Sequence, residues 1–307
     1  MMKQTFSMKI RFSIQWKGGG IENFDGPDGI AIDSRDNIYV NDFWNNRIQV
    51  FDCEGGYLRS WQGGDVGDFD GPSSVTVDSE DNVYVIEFFS NRLQKFTRDG
   101  EYVTSWLGSD SAKGQPGNFK EPSGIAVDSQ DNVYVTDSRY NRIQKFTRDG
   151  EYITSWLGSD STKGEPGGFK DPHGIFVDSQ DNVYVAEFSG NRIQVFTKDG
   201  KYVTSWSGSD FTKGEPGPFD GSNDIVVDSQ GNVFVTEFSS NRIQVFTKEG
   251  KYVTSWSGSD STQGEPGIFV NPIGIAVDRQ DNIYVTEFFG NRVQKFQKYL
   301  SNELKVK

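Results

Sequence analysis

One unit repeated six times restricts this chain more than any other property. The unit opens with FDGPDGIAID at Phe24, FDGPSSVTVD at Phe69, FKEPSGIAVD at Phe119, FKDPHGIFVD at Phe169, FDGSNDIVVD at Phe219 and FVNPIGIAVD at Phe269. The anchoring phenylalanines are 45 residues apart once and 50 apart four times. Each unit continues with DNxYV (GNVFV in the fifth), a carboxylate, the pair Asn-Arg, an I/L/V-Q-x-F run, a polar turn ending in Gly, and a run ending in Trp. Four short alternating runs separated by turn chemistry predict four antiparallel strands, a to d, placed in the first unit at 29–33, 37–41, 47–51 and 57–61. The a–b turns (SRDN, SQDN) and c–d turns (RDG, KDG, KEG) have the length of tight hairpins.

The tryptophans predict how the units close. Trp61, Trp106, Trp156, Trp206 and Trp256 end strand d of units one to five, whereas the sixth unit runs into QKYLSNELKVK without a Trp. Its missing strand stands at the other end, where RFSIQW places Trp16 45 residues before Trp61. The expected fold is all-β: a six-bladed β-propeller with four antiparallel strands per blade, closed by the N-terminal strand completing the last blade. It is expected to be a single domain over residues 10–297, followed by a C-terminal tail at 298–307. Six Leu and five Ala against 35 Gly, 24 Phe and 12 Tyr argue against a helical bundle and against a parallel α/β fold.

The pattern P-x-G-I-A-V-D-x-x-D-N-V-Y-V-T-E followed by N-R-I-Q-V-F resembles the NHL-repeat family over residues 10–297. That resemblance implies strand a lining the axis, with the d–a and b–c loops on one face. It leaves function open, since propellers of this kind include protein-binding and RNA-binding modules, sensor domains and a lyase, and similar folds serve as metal-dependent lactonases.

Residues present in every unit read as blade-building. The carboxylate ending strand b (Asp42, Glu87, Asp137, Glu187, Glu237, Glu287) precedes by five residues an arginine (Arg47, Arg92, Arg142, Arg192, Arg242, Arg292), a spacing that suits a charge-assisted pair across a hairpin. A six-carboxylate metal ring is the alternative. The Asp-x-x-Asp-Asn turns read as side-chain-capped turns, with a calcium loop as the alternative despite the absence of an EF-hand's downstream Glu. Cys53 falls in a c–d turn as an incidental thiol. Being the only cysteine, it rules out an internal disulfide.

Function is sought where the units disagree. The residue after the Pro that opens strand a (Ser222 in unit five) is Asp28, Ser73, Ser123, His173, Asn223 and Ile273, six positions expected around the mouth of the central channel. Asp28, His173, Asn223 and the adjacent Asp224 form a candidate oxygen-rich cation site that suits calcium, magnesium or manganese. A metal there would polarise an ester or lactone carbonyl or activate water. The alternative is a rim that tolerates any small polar residue.

A second set lies at the tips of the b–c loops, where the residue after the carboxylate is Phe in five of six units (Phe43, Phe88, Phe188, Phe238 and Phe288) and reads as packing, while the next position varies. Trp44, Phe89 and Phe289 stand on blades that become neighbours once the ring closes, and Arg139 and Tyr140 continue the set on unit three. The d–a loops flanking unit one are short, 8 residues from Trp to Phe against 13 elsewhere, the longer ones carrying Gly-Glu-Pro-Gly or Gly-Gln-Pro-Gly turns. Trp44, Phe89, Arg139, Tyr140 and Phe289 are therefore the candidate binding residues. The alternative is that these rings fold down into the gaps between blades.

The leading expectation is a non-enzymatic scaffold recognising a protein, peptide or small ligand on this face. The runner-up is a metal-dependent lactonase- or esterase-like hydrolase, or a lyase, at the channel mouth. A net charge of −13 with no basic run argues against nucleic acid, and no apolar run is long enough to span a bilayer. The start, MMKQTFSMKIRFSIQW, has no apolar region of a secretory signal, which permits a cytoplasmic location. A monomer is expected in preference to an oligomer, although the aromatic crescent would also serve self-association. A single histidine, His173, leaves a serine-type triad one candidate base.

Overall fold

The computed structural model describes residues 5–303 except 21, 110, 112–114, 116, 160–166 and 259–266. Six four-stranded antiparallel sheets follow one another along the chain. Strand a of each blade is Pro27–Ile32, Pro72–Val77, Pro122–Val127, Pro172–Val177, Ser222–Val227 and Pro272–Val277. These six strands line one cavity of about 260 Å³ on the axis, so strand a is innermost. Strand a of blade 1 begins two residues earlier than expected. Pro27 already pairs with Asp42, and the register slips between Pro27 and Ile30.

The sixth sheet takes its fourth strand from the N-terminus. Thr5–Trp16 pairs antiparallel with Arg292–Glu303, and Trp16 faces Val293 as Trp61 faces Ile48 in blade 1. Residues 298–303, read from sequence as part of a tail, extend this strand because the N-terminal segment offers them a full-length partner. The Gly-rich turns at 114–117, 164–167 and 264–267 lie largely outside the described residues. The two short d–a loops each fold into a small hairpin, Gly18–Gly19 with Glu22–Asn23 and Gly63–Gly64 with Gly67–Asp68.

The core lies between blades. At the first seam Ala31, Tyr39, Ile48 and Val50 of one blade pack on Phe69, Val75, Val83, Val85 and Phe96 of the next, and equivalent clusters fill the other seams. Each strand-d tryptophan except Trp256, whose neighbouring blade has no c–d turn, runs beneath the next blade's c–d turn. A Cβ on Gly55, which has φ +81°, would stand 2.9 Å from the Trp16 ring. The tryptophans are thus packing residues, as the repeat argument expects.

The carboxylates ending strand b are buried and fully engaged. Asp42 accepts Arg47 Nε at 2.7 Å, Gln49 Nε2 at 2.8 Å and the Asp25 amide at 2.7 Å. The other five pair with their arginines at 2.5–2.6 Å. Their lone pairs are turned to these donors, which is the charge-assisted pair and not an ion-binding ring. The Asp-x-x-Asp-Asn turns are capped as expected: Asp33 Oδ1 accepts the amides of Arg35 and Asn37, and Oδ2 accepts Tyr39 Oη.

One kind of clasp ties each blade to the next, and a second joins them at four of the six seams. On the loop face, the Asn of every Asn-Arg pair accepts an amide proton from the following blade: Gly71 on Asn46, Glu121 on Asn91, Asp171 on Asn141, Gly221 on Asn191, Asn271 on Asn241 and Gly26 on Asn291. On the opposite face, a Ser donates both its amide and its hydroxyl to the second Asp of the next a–b turn. The pairs are Ser34 with Asp81, Ser79 with Asp131, Ser129 with Asp181 and Ser229 with Asp281.

Candidate functional site

The antiparallel order puts the starts of the six a strands and the six b–c loops on one face, where the structure gathers two sets of residues. At the axis, Asp28, Ser73, Ser123, His173, Asn223, Asp224 and Ile273 line a cavity of about 30 Å³, room for a water molecule or a small cationic group. All six varying positions therefore meet at the mouth.

They do not all turn to one point. The His173 Nε2 lies 3.3 Å from Asp171 Oδ1, and its ring stacks on Phe188 with centroids 4.9 Å apart. This pairing holds the Asp171 carboxyl below its usual value. Asp224 Oδ1 accepts the Ile225 amide at 2.8 Å and Oδ2 the Ile275 amide at 3.0 Å. Among the described residues no three His, Cys, Asp or Glu side chains converge as ion ligands. With His173 turned to Asp171, the donor set as arranged does not fit a divalent metal centre.

Two carboxylates nevertheless share the mouth. Desolvation and the nearby Asp224 charge raise Asp28 well above the usual carboxyl range. Desolvation raises Asp224 to about 7, against the two amides that favour its charged form. The folded state therefore holds a proton that the unfolded chain releases near 3.8. The stability this confers is complete below that value and is lost as pH rises through about 7. Asp28, His173 and the Ile225 and Ile275 amides face the same group, so the comparison must isolate Asp224. Asp224→Asn should gain about 1–3 kcal/mol relative to wild type between roughly pH 4.5 and 8, allowing for partial exposure. Urea titrations at the two pH values measure this, and a pH-independent difference would refute it.

Around the mouth runs an arc of aromatic rings. Phe89 meets Phe43 at 5.6 Å, Phe43 meets Trp44 at 4.7 Å, and Trp44 meets Phe288 at 6.3 Å. Phe288 meets Phe289 at 5.1 Å, Phe289 meets Phe238 at 6.4 Å, and Phe238 meets Phe188 at 6.1 Å. The arc ends on His173. Trp44 and Phe89 touch directly at 6.3 Å, whereas Phe289 joins them through Phe288, a ring the sequence reading assigned to packing. Exposure is 54% for Trp44, 49% for Phe89 and 65% for Phe289, so these rings present their faces to solvent. Glycine is what lets two of them lie flat. A Cβ on Gly26 would stand 2.7 Å from Trp44, and one on Gly71 2.6 Å from Phe89.

Blade 3 interrupts the arc. A single 3-10 turn, Ser138–Tyr140, carries Arg139 and Tyr140. The Ser138 hydroxyl donates to Pro172 O at 2.6 Å, while the Tyr140 ring lies 4.8 Å from the Arg142 guanidinium. Arg139 helps lower the Asp171 carboxyl through its charge. The sequence reading missed Asp171 and assigned Phe188, Phe238 and Phe288 to packing. The one available signal was FKDPHG at 169–174, the sole unit to place a carboxylate two residues before an imidazole.

This fold and mouth define a six-bladed β-propeller whose variable residues gather at one end of the axis. The NHL repeat matches at residues 24–51, 220–246 and 269–296, and an SMP-30/Gluconolactonase/LRE-like region matches at 118–209. The chain is a six-bladed β-propeller that carries NHL repeats in those three segments. Among solved structures it is similar to virginiamycin B lyase from Staphylococcus aureus, at 16% identity over 95% of this chain and 99% of that one, with a TM-score of 0.63. A gluconolactonase from Xanthomonas campestris matches at 15% identity over 90% and 87%, TM-score 0.65. A Bacteroides thetaiotaomicron protein of unknown function matches at 15% over 97% and 77%, TM-score 0.68. At these identities the likeness is one of fold. No curated protein matches in sequence. Among the described residues no helix is long and apolar enough to cross a membrane.

Proposed function

We propose that this propeller is a recognition module whose loop face binds a peptide or protein segment carrying a basic side chain. The observation that carries this reading is the exposed aromatic arc curving around two carboxylates at the axis. A lysine or arginine descending to the mouth passes ring faces, which attract cations, and reaches Asp28 and Asp224. Apolar flanks of the same segment cover Trp44 and Phe89, as buried aromatic anchors do at interfaces. The net charge of −13 favours approach of a basic partner.

The test is an NMR titration with short Lys- or Arg-containing peptides flanked by Leu and Phe, beside acidic versions of the same peptides. Shifts confined to the arc and mouth are expected with the basic set, weakened roughly tenfold or more in Trp44→Ala/Phe89→Ala without loss of folding. Equal binding of acidic and basic peptides, or full binding by the double variant, would sink the proposal.

A hydrolase or lyase is the second reading, supported by one feature. His173 with Asp171 is an imidazole–carboxylate pair at the mouth of the channel, the arrangement of a general base and its orienting acid. Turnover of lactones, esters or cyclic depsipeptides that vanishes in His173→Ala, at unchanged melting temperature, would establish it in place of the first.

A further inference from the structure

On the face opposite the loops, the repeat itself describes a vacant place. At four seams a carboxylate accepts the amide and hydroxyl of a Ser from one blade and stands within ion-pair distance of a Lys or Arg from the next. Asp131 accepts Ser79 at 2.9 and 2.8 Å with Arg148 3.6 Å away, and Asp281 accepts Ser229 at 3.1 and 2.7 Å with Lys298 at 2.9 Å. Asp81 and Asp181 repeat the arrangement with Arg98 and Lys198.

Between blades 4 and 5 the donors remain and the carboxylate is gone. Gly231 occupies the position of those aspartates, with φ +81° where they have 60–64°. Ser179 and Lys248 stand where the other donors stand, and neither the amide nor the hydroxyl of Ser179 has a partner among the described residues. Lys248 pairs with Asp178 Oδ2 at 3.0 Å, as Lys298 pairs with Asp228 at 2.6 Å while also reaching Asp281, and its Cε lies 3.0 Å from where a Cβ of residue 231 would be. A cavity of about 240 Å³ opens here, lined by Phe176, Ser179, Val227, Gly231 and Lys248 together with Asp178, Asp228 and Ser229.

We infer that this cavity is a binding site for a small organic carboxylate, whose acid group takes the place of the missing aspartate. Its oxygens accept the Ser179 amide and hydroxyl and pair with Lys248, while Phe176 and Val227 receive an apolar tail. Phe176 is itself a departure, since the same strand-a position elsewhere holds Ala31, Thr76, Ala126, Val226 or Ala276. The neighbouring carboxylates do not forbid an anion. Asp178 is held by Asn182 and Tyr184, Asp228 by Asn232 and Lys298, and equivalent aspartates flank the built-in group elsewhere, with Arg148 reaching both Asp78 and Asp131. The seam between blades 6 and 1 is altered differently: it keeps Asp36 and replaces the serine by Arg279.

The experiment titrates the whole protein, isotopically labelled, with acetate, benzoate and the neutral analogue benzamide. Benzoate is expected to shift the Ser179 and Gly231 amides in the millimolar range, acetate more weakly, and benzamide not at all. Gly231→Asp supplies the carboxylate internally and should abolish binding, in a backbone conformation that five other blades already give to Asp. Ser179→Ala and Lys248→Met should each weaken it by about 10- to 100-fold. Asp181→Gly should open a second site at Ser129 and Lys198. Equal binding of benzamide, benzoate binding that survives Gly231→Asp, tighter binding of a blocked aspartyl peptide than of benzoate, or no shift at Ser179 would each overturn the inference.

Discussion

Glu187→Ala is expected to destabilise the protein by about 3–5 kcal/mol, the largest effect of any single polar substitution in a blade. Glu187 is fully buried and accepts Arg192 Nε at 2.6 Å, Gln194 Nε2 at 2.9 Å and the Lys170 amide at 2.6 Å. Removing it strands a guanidinium whose remaining donors point at the carbonyls of Gly167 and Gly168, so the d–a loop loses its anchor as well. Arg192→Ala should cost a similar amount, because it leaves a buried carboxylate without its cation. The double variant should cost less than the sum of the two, since neither charge is then left alone. Urea unfolding midpoints for the three variants measure this. If the six carboxylates instead formed an ion-binding ring, the alanine variant would lose calcium affinity and keep its midpoint.

Removal of residues 1–16 should have a still larger effect and abolish cooperative unfolding. The deleted segment is the outer strand of blade 6 and carries Trp16, which contacts Phe51 of blade 1 at 5.7 Å and Tyr284 of blade 6 at 6.3 Å. Loss of one buried tryptophan alone costs about 3–5 kcal/mol. The deletion adds the contacts of Ile10 and Phe12 with the blade 5–6 core and exposes the whole edge of strand Arg292–Glu303. Total stabilities of about 5–15 kcal/mol do not survive such a loss, and the bared edge invites pairing between molecules. Thermal unfolding and size-exclusion chromatography should show a broadened transition and oligomers. Adding the peptide TFSMKIRFSIQW in trans should restore a single sharp transition. A truncated chain that melts like the intact one would show that the ring closes without this strand.

The sequence discloses those features that recur at a fixed interval. Anchors such as Phe24 and Phe69 mark the blade, and the position of Trp16 relative to Trp61 places the N-terminal segment beside the last sheet. The five-residue interval from Asp42 to Arg47 is a local hairpin property, so it too is readable. Contacts across seams are another matter. Ser34 reaches Asp81 over 47 residues and Gly26 reaches Asn291 over 265, separations that acquire meaning only once the ring exists. The six mouth residues could be named from the repeat, but not that His173 would turn to Asp171 and Phe188. That choice depends on a carboxylate two positions away at positive φ and on a ring from the adjoining loop. Phe288 was hidden for a different reason. Its recurrence in five blades made it look structural, while its service as the bridge between Trp44 and Phe289 depends on which blades are neighbours.

The long ribbon formed by Thr5–Trp16 and Arg292–Glu303 fixes how the molecule responds to force. Thr5 pairs with Glu303, so both chain ends leave from the same end of one antiparallel ladder. Tension applied between them loads the backbone hydrogen bonds one after another, as a zip opens, and not all together in shear. Twelve residues on each side must part before the sixth sheet loses its outer strand. A propeller pulled by its termini therefore yields first at its closure, at low force and in small steps. Tethered into a larger chain, it would act as an extensible element that snaps shut when the load is released.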